Sequence, residues 1–513
     1  MRKLAKTPRK RKTLALAVGA AFLLLGGAPV RAAAAEKSEY TYDDNASHTT
    51  GTTYDDPGDS GAGSEATAAN PGKYVGLGTT GSEWFTSFVG GSGVKGVWQP
   101  AAADGNRLIV DYPGSGDAPA FVFGGVAEAL SNETVTGNEV HYSGGGVSAG
   151  ALIGGVSCYG TAGGNKVFYY GGGLDGLTYS GVKYAVIGGA AVGSSAQAAQ
   201  AGQNEVHLTG SGNIGGGVVG GLILDNGSAS EAFENSVVIT DYSGATMGVY
   251  GGKVEGGAGT ARGNKILIDG GAVNSGDIYG GWVDSSGTAG GNEVTIRAGG
   301  VVTGFIYGGY AKSGSSIVSG NHVTLQDSAA AHSTVYGGYV YGGEASGNHV
   351  TLQDSATVGY FTVYGGYAFD GNSAVCGNYV ILRDNAAANG SIYGGYAARG
   401  GEASGNHVIL KDSAVAGFVY GGQVNFNGLA NNNYVTLLDS ARAFYVYGGY
   451  ADNTYGSDAV GNEVWIGGGA DAAGAVYGGY AYSGDAVGNK VWIGGGVVEL
   501  SVYGGLASSS MSG

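Results

Sequence analysis

The sequence predicts an all-β chain wound as a single-stranded parallel β-helix, a β-solenoid of about 12–14 coils with a period of about 28 residues. Three observations carry this prediction. One block, Ser-Gly-Asn-His-Val-Thr-Leu-Gln-Asp-Ser-Ala, stands at 319–329 and returns letter for letter at 346–356. Around this block and its relatives, apolar and polar residues alternate with period two, the mark of half-buried strands. Finally, none of the chain's seven prolines lies beyond Pro119. Strands paired on both sides require this, because proline removes a ladder donor.

Two landmarks alternate along the repeat. The first is an Asn, usually after Gly, that opens an apolar alternation: Asn138, Asn165, Asn204, Asn235, Asn264, Asn292, Asn321, Asn348, Asn378, Asn406, Asn433, Asn462 and Asn489. The second is a β-branched residue followed by Tyr-Gly-Gly. Its tyrosines are Tyr250, Tyr279, Tyr307, Tyr336, Tyr364, Tyr393, Tyr420, Tyr447, Tyr477 and Tyr503, spaced 26 to 30 residues apart. Earlier degenerate copies carry Phe123, Ile153, Ile187 and Val219 in place of the tyrosine. A unit this short holds two clear strands plus turns, whereas a propeller blade needs ~40–45 residues. Helical repeats are excluded by the period-two pattern and the abundance of glycine.

The period of two also assigns faces. Val323 and Leu325 point inward, and Asn321 shares their parity. Stacked asparagines would then form an amide ladder, which satisfies groups that are costly to bury unbonded. The residue after the Asn varies among Glu139, Lys166, His322 and Tyr379 and is expected in solvent. Glycine pairs are expected to provide the φ > 0 corners. Val335 marks the inward parity before Tyr-Gly-Gly, so Tyr279, Tyr307, Tyr336, Tyr364 and Tyr393 are expected to face out as a surface-binding stripe. The apolar early copies fit the alternative, that a neighbouring segment covers this position.

Composition agrees with this class. Glycine supplies 108 of 513 residues, charged residues 12% and apolar residues 43%. Glycine does not recur every third residue, which excludes collagen, and the apolar share excludes general disorder. Residues 1–35 read as a signal peptide: seven Lys and Arg from Arg2 to Lys12, an apolar run, then Val-Arg-Ala-Ala-Ala-Ala. Residues 36–72 are expected as a disordered acidic spacer with Thr-Tyr-Asp-Asp twice. Residues 73–119 are expected as an N-terminal cap bearing Trp84, Phe85, Phe88, Val97 and Trp98, with solenoid repeats over 120–505 and a tail over 506–513. The whole chain has net charge −16. Cleavage of the signal leaves 16 basic against 40 acidic residues, a net of −24. Such a surface repels nucleic acid.

Cys158 and Cys376 would sit about seven rungs apart at ~4.8 Å per rung, beyond the reach of a disulfide. Two buried free thiols are expected. Asp327, Asp354, Asp384, Asp412 and Asp439 each stand six residues after a ladder Asn and would form a carboxylate column. They could hold a divalent cation such as Ca²⁺ weakly between rungs, or cap the turns by accepting backbone amides; turn capping is the simpler reading. His322 and His349 would lie one above the other on a solvated face. No Ser-His-Asp set, zinc helix or phosphate loop stands in the sequence, so no enzyme and no cofactor are expected.

The repeats "VYGGYV" from Val335 and "GNHVTLQDSA" from Gly347, following an export signal and an acidic spacer, resemble the passenger region of bacterial autotransporter proteins over about residues 120–505. The resemblance implies a right-handed parallel β-helix at a diderm bacterial surface, used for adhesion to host or neighbouring-cell components. It also implies an outer-membrane translocator. The sequence departs from the family in ending at Ser-Ser-Ser-Met-Ser-Gly without a C-terminal barrel; the expectation is either a sequence truncated within the passenger, its translocator encoded downstream, or a protein released or anchored by another partner. The expected function is adhesion or surface interaction. The alternative is a structural spacer or surface-layer component, and a polysaccharide-active enzyme is a third reading.

Overall fold

The computed structural model describes residues 134–508, apart from 145–147, 159, 180–181, 194–196, 225–228, 275 and 453–455. Upstream it describes residues 104–105 and the strands Glu39–Asp43, Thr52–Tyr54, Tyr74–Gly78, Val97–Pro100, Arg107–Tyr112 and Phe121–Ala127. These residues form a parallel β-solenoid of right-handed type, about 12 turns at about 29 residues per turn, with no helix among them. The chain divides into two units, Met1–Glu231 and Ala232–Gly513.

One coil of the second unit shows the design. Ser316–Ser319 makes a short face, and Gly320 turns the corner with φ 62°. His322–Leu325 makes an asparagine face, named for the Asn321 at its start. After a turn and the two-residue strand Ala330–Ala331, Val335–Val340 makes a tyrosine face. Each strand pairs in parallel with its equivalent one coil on: His322 with His349, Val323 with Val350, Tyr336 with Tyr364. Val323, Leu325, Val335, Val340 and Ala345 point into the coil and are fully buried.

The asparagine ladder forms as the parity of the strand requires. In the second unit it runs from Asn235 to Asn489. Asn321 is representative: its Nδ2 donates to Asn348 Oδ1 at 2.8 Å and to the Ala289 carbonyl at 2.9 Å. Its Oδ1 accepts the backbone N–H and the Nδ2 of Asn292, at 3.0 and 2.8 Å. Both donors and both lone pairs of a fully buried amide are thereby used. In the first unit, Asn138, Asn165 and Asn204 form the same arrangement.

The glycine pairs expected at φ > 0 corners are of two kinds: Gly256–Gly257 and Gly270–Gly271 take φ of 68° to 74°, whereas those of Tyr-Gly-Gly do not. The latter lie inside strands and are absent from the positive-φ positions. Their role is close approach. A Cβ on Gly338 would lie 2.5 Å from Asn348 Nδ2, and one on Gly337 would lie 2.5 Å from the Gly365 carbonyl oxygen. The positive-φ corner that leads into the asparagine face belongs to the residue before the ladder Asn, for instance Gly347 at 59°.

In the first unit the same three faces occur, for example as Thr161–Gly163, Lys166–Tyr169 and Val182–Val192. It adds one antiparallel hairpin strand, Leu177–Tyr179. Where a disordered spacer is expected, Glu39–Asp43 and Thr52–Tyr54 form parallel strands, with Tyr40 opposite both Thr52 and Leu108. The duplicated Thr-Tyr pairs are themselves the strand residues, in keeping with their β-propensity. Within the expected cap, Val97–Pro100 pairs with Tyr74–Gly78, which pairs with Phe121–Ala127. The signal-peptide residues and Trp84, Phe85 and Phe88 lie outside the described residues. Cys376 is a free thiol but only half-buried, because it takes the outward parity beside fully buried Val375. Burial and the nearby Glu344 and Glu402 carboxylates push its pKa up. The Cys158 side chain lies outside the described residues.

Asn348→Ala strands the backbone and side-chain amides of Asn321 in the core. It should cost about 3 kcal/mol, read as a lower urea midpoint by circular dichroism, whereas Thr324→Val on the outer surface should stay within about 0.5 kcal/mol.

Candidate functional site: the tyrosine face and its neighbours

Alternation from buried Val335 turns Tyr336 outward. Strict alternation would then turn Tyr339, three residues later, inward. The pairing skips Gly337, matching Tyr336 with Tyr364 and Gly338 with Gly366, so one extra residue resets the parity. Both tyrosines therefore stand on the outside of the same strand.

Stacking the coils converts these positions into two columns. In the inner column, Tyr250 through Tyr503, successive ring centroids lie 4.7 to 5.0 Å apart and nearly parallel. The outer column comprises Trp282, Tyr310, Tyr339, Tyr367 and Tyr396, then Tyr450 and Tyr480 beyond Gln423. Its rings meet the inner ones edge to face, as with Tyr336 and Tyr339 at 5.5 Å and 90°. Edge-to-face and offset pairs suit the ring quadrupole. Lys253 opens the outer column: buried, it lies 4.5 Å from the Tyr250 ring centre and 4.6 Å from that of Trp282, and 2.8 Å from Glu255. Phe418 and Tyr445 add a third file, stacked at 5.6 Å.

The five tyrosines expected as a stripe thus come together on one face, and they are half-buried rather than free-standing; Tyr307 is buried. At the early copies, Phe123, Ile153, Ile187 and Val219 are buried. The outer column escaped the sequence reading. Its signal, a second tyrosine after Tyr-Gly-Gly, was present, but an offset of three hides it from a period-two rule. Burial pushes the hydroxyls well above the ordinary tyrosine value, to about 12 for Tyr310, Tyr393 and Tyr450. At neutral pH the phenols are neutral, as at their ordinary value, and the columns have aromatic edges and hydroxyl groups to offer.

The aspartate column sits on the turn after the asparagine face. All five residues adopt left-handed φ between 52° and 59°, a conformation that Asp tolerates better than most residues. Each carboxylate from Asp354 to Asp439 accepts the backbone N–H of the aspartate one coil earlier, at 3.2 to 3.4 Å. A cation between rungs would compete with those amides. Among the described residues no three His, Cys, Asp or Glu gather as a ligand set.

The outer surface of the asparagine face carries a third ring column. His322, His349, Tyr379, His407 and Tyr434 stack at 4.6 to 4.8 Å. Burial pulls His349 and His407 below the ordinary histidine pKa, and His322 adds to the effect on His349.

Comparison with known protein families, with curated proteins and with solved structures returns no match for this chain. The fold and the columns on its faces are therefore what define its class: a parallel β-solenoid.

Two pH dependences follow. The tyrosine columns favour the neutral phenol, so their stabilisation is complete below about pH 10, the unfolded value. It should drain away as pH climbs toward 12 for Tyr310, Tyr393 and Tyr450. Phenolate absorbance should accordingly rise together with unfolding. Burial makes His349 and His407 favour neutral imidazole, so their contribution is complete above the unfolded value of about 6.5 and falls as pH drops below it. The urea midpoint should decline from pH 7 to pH 5, and less so in His407→Tyr, which repeats its neighbours Tyr379 and Tyr434.

Proposed function

We propose that this chain is an exported β-solenoid displayed at the surface of a diderm bacterium, in the manner of an autotransporter passenger. In this reading the tyrosine face adheres to components of a host or neighbouring cell, and the protein binds rather than catalyses. The supporting observation is the double tyrosine column, an aromatic surface that repeats with every coil over many coils. Contiguous exposed aromatic area is characteristic of interaction surfaces, and tyrosine contributes large contact area with few rotors to immobilise. Export rests on the signal-like residues 1–35, and delivery would need an outer-membrane translocator. One observation favours the second reading, a structural spacer: the rings already bury one another, so the columns have a use without any ligand.

Binding to immobilised host glycans and matrix proteins separates the two. Tyr339→Gln combined with Tyr367→Gln places in the outer column the residue already found there at Gln423. Saturable binding should weaken about tenfold or more with the urea midpoint retained; undiminished binding by the double variant would leave the spacer reading.

A further inference from the structure

A shallow cavity of about 330 Å³ lies on the outer surface of the asparagine face, lined by Thr351, Ile381, Arg383, Ile409 and Lys411. Its residues follow from the period of two. The outward positions of one coil are Tyr379, Ile381 and Arg383, and those of the next are His407, Ile409 and Lys411, held in register. Two consecutive coils thus repeat one trio of ring, isoleucine and cation, one strand spacing of ~4.8 Å apart. The adjoining coils do not share it: the same positions read His349, Thr351 and Gln353 before, and Tyr434, Thr436 and Leu438 after.

The cations are poorly neutralised for a chain of net charge −16. Arg383 donates both Nε, at 3.1 Å, and Nη2 to Gln353 Oε1, and the carboxylate beside it, Asp384, is 3.9 Å away. The Lys411 ammonium has no ion-pair or hydrogen-bond partner among the described residues. Asp384 and Asp412 are close in sequence, but each has an oxygen accepting a backbone N–H in the turn, from Asp354 and Asp384 respectively. On the other flank, Tyr379 and His407 stack at 4.6 Å, so their faces cover one another and their polar edges remain.

We propose that this groove binds a linear polyanionic glycan, an oligo-uronate, with one sugar ring on each of the two coils. The C–H faces of the sugars rest on Ile381 and Ile409. Their carboxylates meet Arg383 and Lys411, and their hydroxyls meet the edges of Tyr379 and His407. Two equal subsites one coil apart select a ligand that itself repeats an acid beside an apolar ring face. A pyranose ring spans about the height of one coil. An extended acidic peptide repeats its same-face side chains at ~6.6 Å, too long for a ~4.8 Å step. With its Nε edge held by Gln353, the guanidinium still has paired N–H donors at its Nη1–Nη2 end for a carboxylate.

Isothermal titration with tetragalacturonate tests the groove on the whole chain at low salt. Binding should be saturable and absent with the neutral galactotetraose. It should weaken about tenfold in each of Arg383→Gln and Lys411→Leu, the loss of one charge-assisted contact. Both substitutions copy residues of adjoining coils, Gln353 and Leu438, so an unchanged urea midpoint accompanies the expected result. The proposal is overturned by lack of binding in the wild type, by equal affinity for the neutral sugar, or by affinity unchanged in both variants. Polyphosphate binding as tightly, with the same dependence on Arg383 and Lys411, would also overturn it in favour of a phosphate polymer. None of these residues belongs to the tyrosine face, so the outcome is separate from adhesion.

Discussion

The contact between a buried asparagine amide and a glycine pair organises each coil. Asn348 lies against Gly338, ten residues earlier in the chain, where any side chain would collide with its amide. The two landmarks of the repeat are therefore halves of one contact, and the short face exists to bring them together. The amide then bonds upward, downward and to the short face. Leaving any of these groups unbonded in an apolar core would cost more than the bond itself contributes. This asymmetry holds the coils in one register.

Register has consequences on the outside. Each outward position becomes a column of near neighbours, and columns must be compatible with themselves. At the position after the ladder Asn, charges alternate where they occur: Arg107 with Glu139, Lys166 with Glu205, Lys265 with Glu293, and Glu463 with Lys490, at 2.8 to 3.5 Å. Such exposed pairs contribute little stability each, but like charges at that spacing would oppose the stack. Between those pairs the column changes to stacked rings. The same rule makes the adjacent cations Arg383 and Lys411 unusual, and it also explains why the aspartate column needs backbone N–H groups that donate to its carboxylates.

One repeat thus produces two unlike surfaces. The tyrosine face is mainly aromatic and self-packed, and burial extends the neutral range of its hydroxyls to higher pH. The asparagine face is polar and variable, and its character changes coil by coil because only inward residues are constrained by the ladder. An aromatic stripe for adhesion and a local cationic groove for an acidic glycan can coexist on such a chain, since neither requires a change in the interior.

The sequence by itself determined the solenoid, the inward parity of Val323 and Leu325, and the amide ladder, because repetition and period-two alternation depend only on local strand geometry. For Tyr336 and its equivalents it left two placements open, an outward stripe or a covered position. Only the tertiary structure decided that the glycine pairs are contact points, since their need for space arises from a residue ten positions away. The outer tyrosine column was likewise decided there, because one extra glycine in register overturns alternation. So too was the half-exposed state of Cys376. Whether a position equivalent to Tyr336 is half-exposed or, like Ile153, buried depends on what packs over it, and no local pattern encodes that.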